Sequence, residues 1–398
     1  MLLINPKSPN NMPDRAIEPP IWCALMAKDG DTIIDLEVEL LRYRRSEDKL
    51  IVVMGNNPSA SSTPKMPEAI RLREHLISTS KMGAKVYMTG LHPMASGVAD
   101  IPIPHPSELV KIKRARWELL NMEKYKAHNW HCLQDIDNRG KYAALYTSYG
   151  CPYSCDFCNI HTIYGGRKVY YRNPLDVREE IDYLVRNHGI HNLKLCDELF
   201  TLNPEHVSKV CDAIKDYRLN IWAYAKVDMV TPVMLAEMKK AGVNWIAYGF
   251  ESGNESVLKG VAKSYKGISE TVKMTRDAGI NIMGNFIFGL PGDTHDTMEQ
   301  TLELSRKIRC EYVNFYCAMA YPGSKLYNGE NTNWGSYEQC SKNLKPMGNK
   351  VLSPQEVLDF RNVAFYSYFT DGDYLSMVNR KFGEKAMKHI QEMVISGY

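Results

Sequence analysis

From residue 141 to about residue 320 the sequence repeats one pattern: an apolar run, a polar or glycine-rich stretch, and an amphipathic segment. The apolar runs lie at residues 142–147, 192–196, 221–226, 244–250, 281–288 and 312–319, which gives six expected strands. The intervening helix starts are marked by Asn173-Pro174, Asn203-Pro204 and Thr231-Pro232, each an N-cap residue followed by proline at the first helical position. Gly189, Gly242 and Gly279 stand where helices should end. Val177, Ile181, Leu184 and Val185 make one apolar face on the first of these helices. Strands alternating with helices imply a parallel sheet. Six such units close only part of a barrel, and barrels of this type carry their chemistry at the carboxyl ends of the strands.

The stretch after the first strand holds the most specific motif in the chain. Cys151, Cys155 and Cys158 occur in the spacing C-x3-C-x2-C, with aromatic Phe157 before the last of them. Three thiols in so short a loop can meet at one point. An iron–sulfur cube held by three thiolates leaves its fourth iron open to a small molecule, whereas a purely electron-carrying cube takes four cysteines. A structural zinc, with His161 as fourth ligand, uses the same residue types, and buried thiols are the plainest alternative. The other strand ends read Asp197-Glu198-Leu199-Phe200, Lys226-Val227-Asp228, Gly249-Phe250-Glu251-Ser252-Gly253 and Phe288-Gly289-Leu290-Pro291-Gly292-Asp293. Carboxylates at such positions also serve as helix-start caps.

Residues 1–110 read as a separate small α/β unit. Strands are expected at 1–5, 32–36, 50–54 and 85–88, with helices at 21–27 and 67–82. Ligands of parallel sheets bind beyond the carboxyl ends of the strands. Gly55-Asn56-Asn57-Pro58-Ser59 and Thr89-Gly90-Leu91-His92-Pro93 sit at two such ends. Residues 111–140 form a linker, and the spacing of Leu109, Ile112, Trp117, Leu119 and Leu120 predicts a helix over 108–122. Beyond the barrel repeat (141–320), the extension 321–398 opens with the turn Tyr321-Pro322-Gly323-Ser324-Lys325-Leu326-Tyr327. An irregular loop is expected at 334–350, and the capping box Ser353-Pro354-Gln355-Glu356 starts a helix running to about residue 370. The aromatics of 365–374 read as packing residues, some of them available to line a cavity.

The cysteine spacing with Phe157 resembles the radical S-adenosylmethionine (SAM) enzymes, and residues 140–370 are similar to that family throughout. The resemblance implies a [4Fe-4S] cluster on Cys151, Cys155 and Cys158, whose open iron chelates the amino and carboxylate groups of SAM. One electron from the cluster then cleaves SAM to methionine and a 5′-deoxyadenosyl radical. Carried over by motif, Glu198 looks like the acceptor for the SAM amino group, and Glu251 and Ser252 like the residues holding its amino-acid part or ribose. Lys226 stands where arginine is frequent, which keeps the charge and loses the bidentate fork. Asn285 and Phe288 match the strand that passes along the adenine.

Residues 1–110 resemble the cobalamin-binding domain that precedes many radical SAM domains, which places Asn56, Thr89 and Gly90 at the cofactor. Departures are a shortened first helix (20–30) and the absence of any D-x-H-x-x-G to supply an axial histidine, and a degenerate domain that only covers the barrel is the alternative. The fold class expected is therefore α/β: a flavodoxin- or Rossmann-like parallel sheet, a partial (β/α)6 TIM-like barrel and a helical tail.

A formal net charge of +3 with scattered basic residues argues against nucleic acid and anionic membranes. No apolar run approaches the roughly 18 residues that span a bilayer, and the start carries no signal-peptide pattern, so a cytoplasmic location is expected. Cys23, Cys132, Cys196, Cys211, Cys310, Cys317 and Cys340 are scattered, as core cysteines are. The resemblance implies cobalamin-dependent methylation of an unactivated carbon of a small metabolite, supplied with electrons by a flavodoxin or ferredoxin. The alternative is an isomerase, cyclase or dehydrogenase with a vestigial first domain. Methylthiotransferases carry a second three-cysteine set in the first domain, where this chain has only Cys23 and Cys132. An electron carrier or a zinc-stabilised module would not need polar residues at most of its strand ends.

Overall fold

The computed structural model describes residues 1–10, 15–43, 47–55 and 58–396, with helices and parallel sheets throughout. These residues form two compact units. The first comprises 1–127, 140–198 and 320–338, the second 128–139, 199–319 and 339–398.

The first unit opens with four parallel strands, β1 (Leu2–Asn5), β2 (Thr32–Asp35), β3 (Lys49–Met54) and β4 (Lys85–Gly90), in the order β2-β1-β3-β4. Leu2, Ile4, Leu50, Val52 and Met54 are buried beneath the helix Met66–Thr79, which turns Met66, Ala69, Leu72 and Leu76 onto them. The 3-3-4 spacing of those four residues is why this segment is helical. Asn5, Asp35, Met54 and Gly90 end the strands at one edge. At Gly90 the backbone has φ +115° and a Cβ would stand 2.2 Å from the Met54 carbonyl oxygen, so β4 ends on a residue that only glycine can supply. The expected turn at 89–93 is instead strand up to Gly90, followed at once by the helix Leu91–Ser96.

The same unit holds β5 (Tyr142–Leu145), the two-residue antiparallel ladder of β6 (Ser148–Tyr149) with β7 (Tyr170–Tyr171), and β8 (Asn192–Leu195), which pairs parallel with β5. Between β7 and β8, the helix Pro174–His188 begins at Asn173, whose side chain accepts from the Leu175 N–H, and ends at left-handed Gly189.

The helix predicted over 108–122 does not form: only Pro106–Leu109 is helical, with single 3-10 turns at Trp117–Leu119 and Met122–Lys124. Tertiary bonds take its backbone. The Ala115 N–H and the Trp117 indole N–H donate to Glu180 Oε1 (2.9 and 2.7 Å), the Arg116 N–H to the Ala24 carbonyl (3.0 Å), and Arg172 to the Lys113 carbonyl (2.8 Å). Trp334, expected in a loop over the open side, packs on the N-terminal core instead.

The second unit carries β9 (Asn220–Ala225), β10 (Val243–Glu251), β11 (Asn281–Phe288) and β12 (Tyr312–Cys317), mutually parallel. They run in the order β12-β11-β10-β9, each strand beside its predecessor in the chain. That is the winding of successive strand–helix units. The chain ends in three helices, Pro354–Phe369, Gly372–Phe382 and Glu384–Ser396. Ser353 and Glu356 make the expected reciprocal cap. Phe365, Tyr368, Phe369 and Tyr374 are buried against one another, with the Tyr368 hydroxyl on the Cys310 carbonyl and the Tyr374 hydroxyl on the Glu311 carbonyl. They are packing residues.

Candidate active site

In the first unit the three cysteines follow β6 on one loop, with Cys151 and Cys155 half-buried and Cys158 exposed. The Cys158 N–H donates to the Cys155 carbonyl (3.0 Å), which turns the loop back on itself. Burial foremost, with the charges of Cys158, Glu198 and Cys155 and against a hydrogen bond from the Tyr153 backbone, pushes the Cys151 thiol up to about 12. Such a thiol stays protonated until a cation compensates the thiolate, as metal uptake does. Among the described residues no three His, Cys, Asp or Glu side chains converge as a metal-binding set. The fit to a cluster therefore rests on donor chemistry: among the described residues three non-core thiols share one loop, while Cys23, Cys132, Cys196, Cys211, Cys310 and Cys317 are buried. His161 donates from Nε2 to the Cys151 carbonyl (2.8 Å), so that nitrogen shapes the loop and is not presented as a zinc ligand. Phe157 is half-buried.

The loop is tied to the end of β8. Asp197 accepts from the Thr147 N–H (2.7 Å), the Thr147 hydroxyl (2.6 Å) and the Ser148 hydroxyl (2.6 Å). Glu198 Oε2 accepts from the Gly150 N–H at 2.8 Å. Gly150 has φ +102° and a Cβ there would lie 2.4 Å from the Lys168 carbonyl oxygen, so glycine is what lets this bond form. Glu198 Oε1 and the Tyr164 hydroxyl are both buried and make no hydrogen bond of normal geometry, although the hydroxyl lies close enough to Glu198 to offset part of the rise in its carboxyl. Burial raises the Glu198 carboxyl to about 8. An unmatched buried carboxylate oxygen is costly unless a donor arrives, and an ammonium group is the donor that also favours its charge. Sequence reasoning missed Asp197 as the loop's anchor, although its place beside Glu198 was the signal.

At the carboxyl edge of the N-terminal sheet, the Thr89 hydroxyl donates to the Ile101 carbonyl (2.6 Å) and is spent within the protein. Asn56 lies outside the described residues. Two buried ring nitrogens of this region, Trp22 Nε1 and His92 Nε2, lack hydrogen-bond partners. His92 is held neutral, its pKa lowered to about 4 by burial, with Nδ1 3.2 Å from the Thr63 hydroxyl and its ring edge-on to Trp334.

In the second unit, Lys226 forms an ion pair with Asp228. Glu251 ends β10 at a register shift against β11 with φ +60°. Its carboxylate, nine-tenths buried, takes the Lys263 ammonium at 2.6 Å. A non-glycine residue held in the left-handed region beside a bulge marks a position that the surrounding structure constrains. The Ser252 hydroxyl is fully buried, 3.2 Å from the Thr301 hydroxyl, and accepts from the Asn254 N–H (3.1 Å). Of the pair expected along adenine, Asn285 is half-buried and accepts from Asn314 Nδ2 at 3.2 Å. Phe288 is fully buried against Phe315 and Phe360. Positions 285 and 288 differ by an odd number, so on a strand they face opposite sides. Phe288 belongs to the core face, and the open face of β11 and β12 carries Asn285, Ile287, Asn314 and Tyr316, all half-buried. Asn314 and Tyr316 were not singled out by the sequence, although the same alternation marks them.

The turn after β11 is held by Asp293, which accepts from the Gly289 N–H (3.0 Å), the Leu290 N–H (2.9 Å) and the Thr297 hydroxyl (2.8 Å). Burial raises its carboxyl to about 6. The folded value lies above that of an unfolded aspartate, so the neutral form is favoured by folding. That stability is present below the ordinary value and is lost as pH rises through about 6. Asp293→Asn, which keeps an oxygen for the Gly289 and Leu290 N–H groups and presents an NH2 to the Thr297 hydroxyl oxygen, should remove this pH-dependent contribution. In thermal unfolding followed from about pH 4 to 7, the wild type is expected to lose stability relative to the variant as pH rises; parallel curves would refute the assignment.

Residues 145–305 match the family model of the Radical SAM superfamily. An uncharacterized methyltransferase of Pyrococcus horikoshii is 28% identical over 303 residues, covering 73% of this chain and 60% of the relative. The cytidylyl-2-hydroxyethylphosphonate methyltransferase of Streptomyces wedmorensis is 24% identical over 329 residues, covering 79% and 58%. The chain thus spans about 60% of the length of these curated relatives. Among solved structures, the radical SAM methyltransferase TsrM of Kitasatospora setae, with cobalamin and a [4Fe-4S] cluster bound, aligns at a TM-score of 0.63 with 14% identity, over 98% of this chain and 99% of that one. The fold is shared. Among the described residues no helix is long and apolar enough to cross a membrane.

Proposed function

We propose that this chain is a cobalamin-dependent radical SAM methyltransferase that acts on an unactivated carbon of a small molecule. Residues 1–110 are its cobalamin domain, 111–140 the linker, 141–320 the radical SAM barrel and 321–398 the extension. Cys151, Cys155 and Cys158 would hold a [4Fe-4S] cluster, which when bound supplies the electron for reductive cleavage of SAM. The observation that carries the reading is the union of this thiol loop with Glu198, whose Oε2 fixes Gly150 beside Cys151 while Oε1 is buried without a hydrogen bond of normal geometry. Glu198 holds the SAM ammonium, and Lys226, Glu251, Ser252 and Asn285 serve its remaining polar groups. Gly90 and the neighbouring loops of the N-terminal sheet serve the corrinoid, where unpartnered ring nitrogens suit a polar ligand. The methyltransferase relatives and the shared fold support the reading. A cytoplasmic flavodoxin or ferredoxin is the proposed electron source.

The test is anaerobic reconstitution with iron, sulfide and hydroxocobalamin, gel filtration, and then incubation with methyl-labelled SAM. Corrinoid bands that co-elute with the cluster and acquire the labelled methyl group support methyl transfer. A cluster without corrinoid leaves only chemistry that the radical performs alone. For Glu198→Gln, which keeps an acceptor for Gly150 but loses the charge, the SAM dissociation constant should rise by about 10- to 100-fold, or ~1.5–3 kcal/mol, with iron content unchanged. Equilibrium dialysis checks this, and an unaltered constant would remove Glu198 from the site.

A further inference from the structure

Asn159, the residue immediately after Cys158, is almost fully buried and joins three segments of the first unit. Its Oδ1 accepts from the Ser59 hydroxyl at 2.5 Å, and Ser59 opens the helical turn that follows β3. Its Nδ2 donates to the Pro322 carbonyl at 3.0 Å. Its own carbonyl accepts from the Thr162 N–H (3.1 Å) and starts the helix Ile160–Tyr164. That helix is bonded again to the same turn, Thr162 Oγ1 to the Gly323 carbonyl at 2.7 Å, and packs on Leu91–Ser96, the helix that leaves β4. The turn returns to the cysteine loop through the Leu326 N–H on the Asp156 carbonyl (3.2 Å) and Lys325 on the Asp156 carboxylate (2.6 Å).

The Asn159 amide oxygen therefore ties the cysteine loop to the turn that leaves β3 at the carboxyl edge of the N-terminal sheet, and the amide nitrogen ties it to the 321–327 turn. In a parallel sheet that edge is where ligands bind. An asparagine suits this position because one amide supplies both an acceptor and a donor, and a buried amide with either bond broken carries a desolvation cost. Displacement of the Ser59 loop is thus resisted by the residue next to the third cysteine.

We propose that Asn159 is a positioning residue that couples occupancy of the N-terminal crevice to the cysteine loop, so that corrinoid and SAM bind with mutual dependence. This rests on the reading above that the crevice takes a corrinoid and the loop a SAM-binding cluster. The link acts through two hydrogen bonds and a shared turn, and linkage requires the effect to be reciprocal.

The experiment uses the reconstituted full chain and measures the SAM dissociation constant with and without saturating hydroxocobalamin. In the wild type the two constants should differ by about fivefold or more. In Asn159→Ala, and in Ser59→Ala, which removes only the hydroxyl of a half-exposed partner, the ratio should fall close to one. Iron content of Ser59→Ala should match the wild type, and its thermal midpoint should fall only modestly, by the loss of one donor to a buried acceptor, with the chain still folded under the assay conditions. A ratio near one in the wild type, or a wild-type ratio preserved in both variants, overturns the inference. A wild type that binds SAM but no hydroxocobalamin overturns the proposed function together with it, and this failure is seen before any variant is made.

Discussion

Replacing Cys151, Cys155 or Cys158 individually by alanine is expected to abolish SAM cleavage, to at least about a thousandfold below the wild type or ~4 kcal/mol, while the protein stays folded. The two halves of the expectation have different sources. Loss of activity follows from chemistry, because a cube needs all three thiolates and has no protein ligand in reserve. Survival of the fold follows from placement: Cys158 is exposed, Cys151 and Cys155 are half-buried, and the loop is anchored by Asp197, Glu198, His161 and Asn159 through bonds to backbone and hydroxyl groups. Half-exposed side chains leave no core cavity when shortened. Cys340→Ala is the control, being half-buried and remote in sequence from the loop, and should retain activity. Iron and sulfide analysis, circular dichroism and release of 5′-deoxyadenosine separate the outcomes. Undiminished cleavage in all three variants would contradict the cluster assignment.

The second large effect concerns stability. Glu180 and Arg172 form a buried ion pair at 2.7 Å, with side chains 1% and 3% exposed. Arg172 also donates to the Tyr146 carbonyl (2.7 Å) and the Lys113 carbonyl (2.8 Å), and Glu180 accepts from the Ala115 N–H and the Trp117 indole. Glu180→Ala leaves a buried guanidinium without its counter-charge and two N–H donors without an acceptor. Removing one partner of such a pair costs about 3–5 kcal/mol. That is a large share of the ~5–15 kcal/mol that stabilises a typical domain. The variant should therefore show a strongly lowered denaturation midpoint or fail to accumulate as folded protein. Removing both partners, Arg172→Met with Glu180→Leu, should recover part of the loss, because no unpaired charge remains. A single variant within about 1 kcal/mol of the wild type would mean the pair is solvated and carries no such role.

The sequence was readable where the determinants are local. The Asn-Pro and Thr-Pro helix starts, left-handed Gly189 and the Ser353–Glu356 cap each concern a few neighbouring residues, and each corresponds to a feature of the structure. It misled where distant partners decide. Residues 108–122 have helical spacing, yet Glu180, Arg172 and the Ala24 carbonyl claim their backbone. Trp334 lies in a polar stretch but finds its packing on the N-terminal core. Asn159 shows no periodicity and no motif, because its partners Ser59 and Pro322 lie far away in the chain. The grouping of Phe288 with Asn285 was avoidable, since strand alternation alone puts them on opposite faces.

The most direct measurement is electron paramagnetic resonance of the anaerobically reconstituted, chemically reduced chain, recorded without and with SAM and set against iron, sulfide and zinc analysis. A cube on three thiolates requires about four irons per chain and a reduced-cluster signal that changes when SAM is added, because SAM would occupy the iron that Cys151, Cys155 and Cys158 leave open. Zinc without iron, or a cluster signal that SAM leaves unaltered, would contradict it.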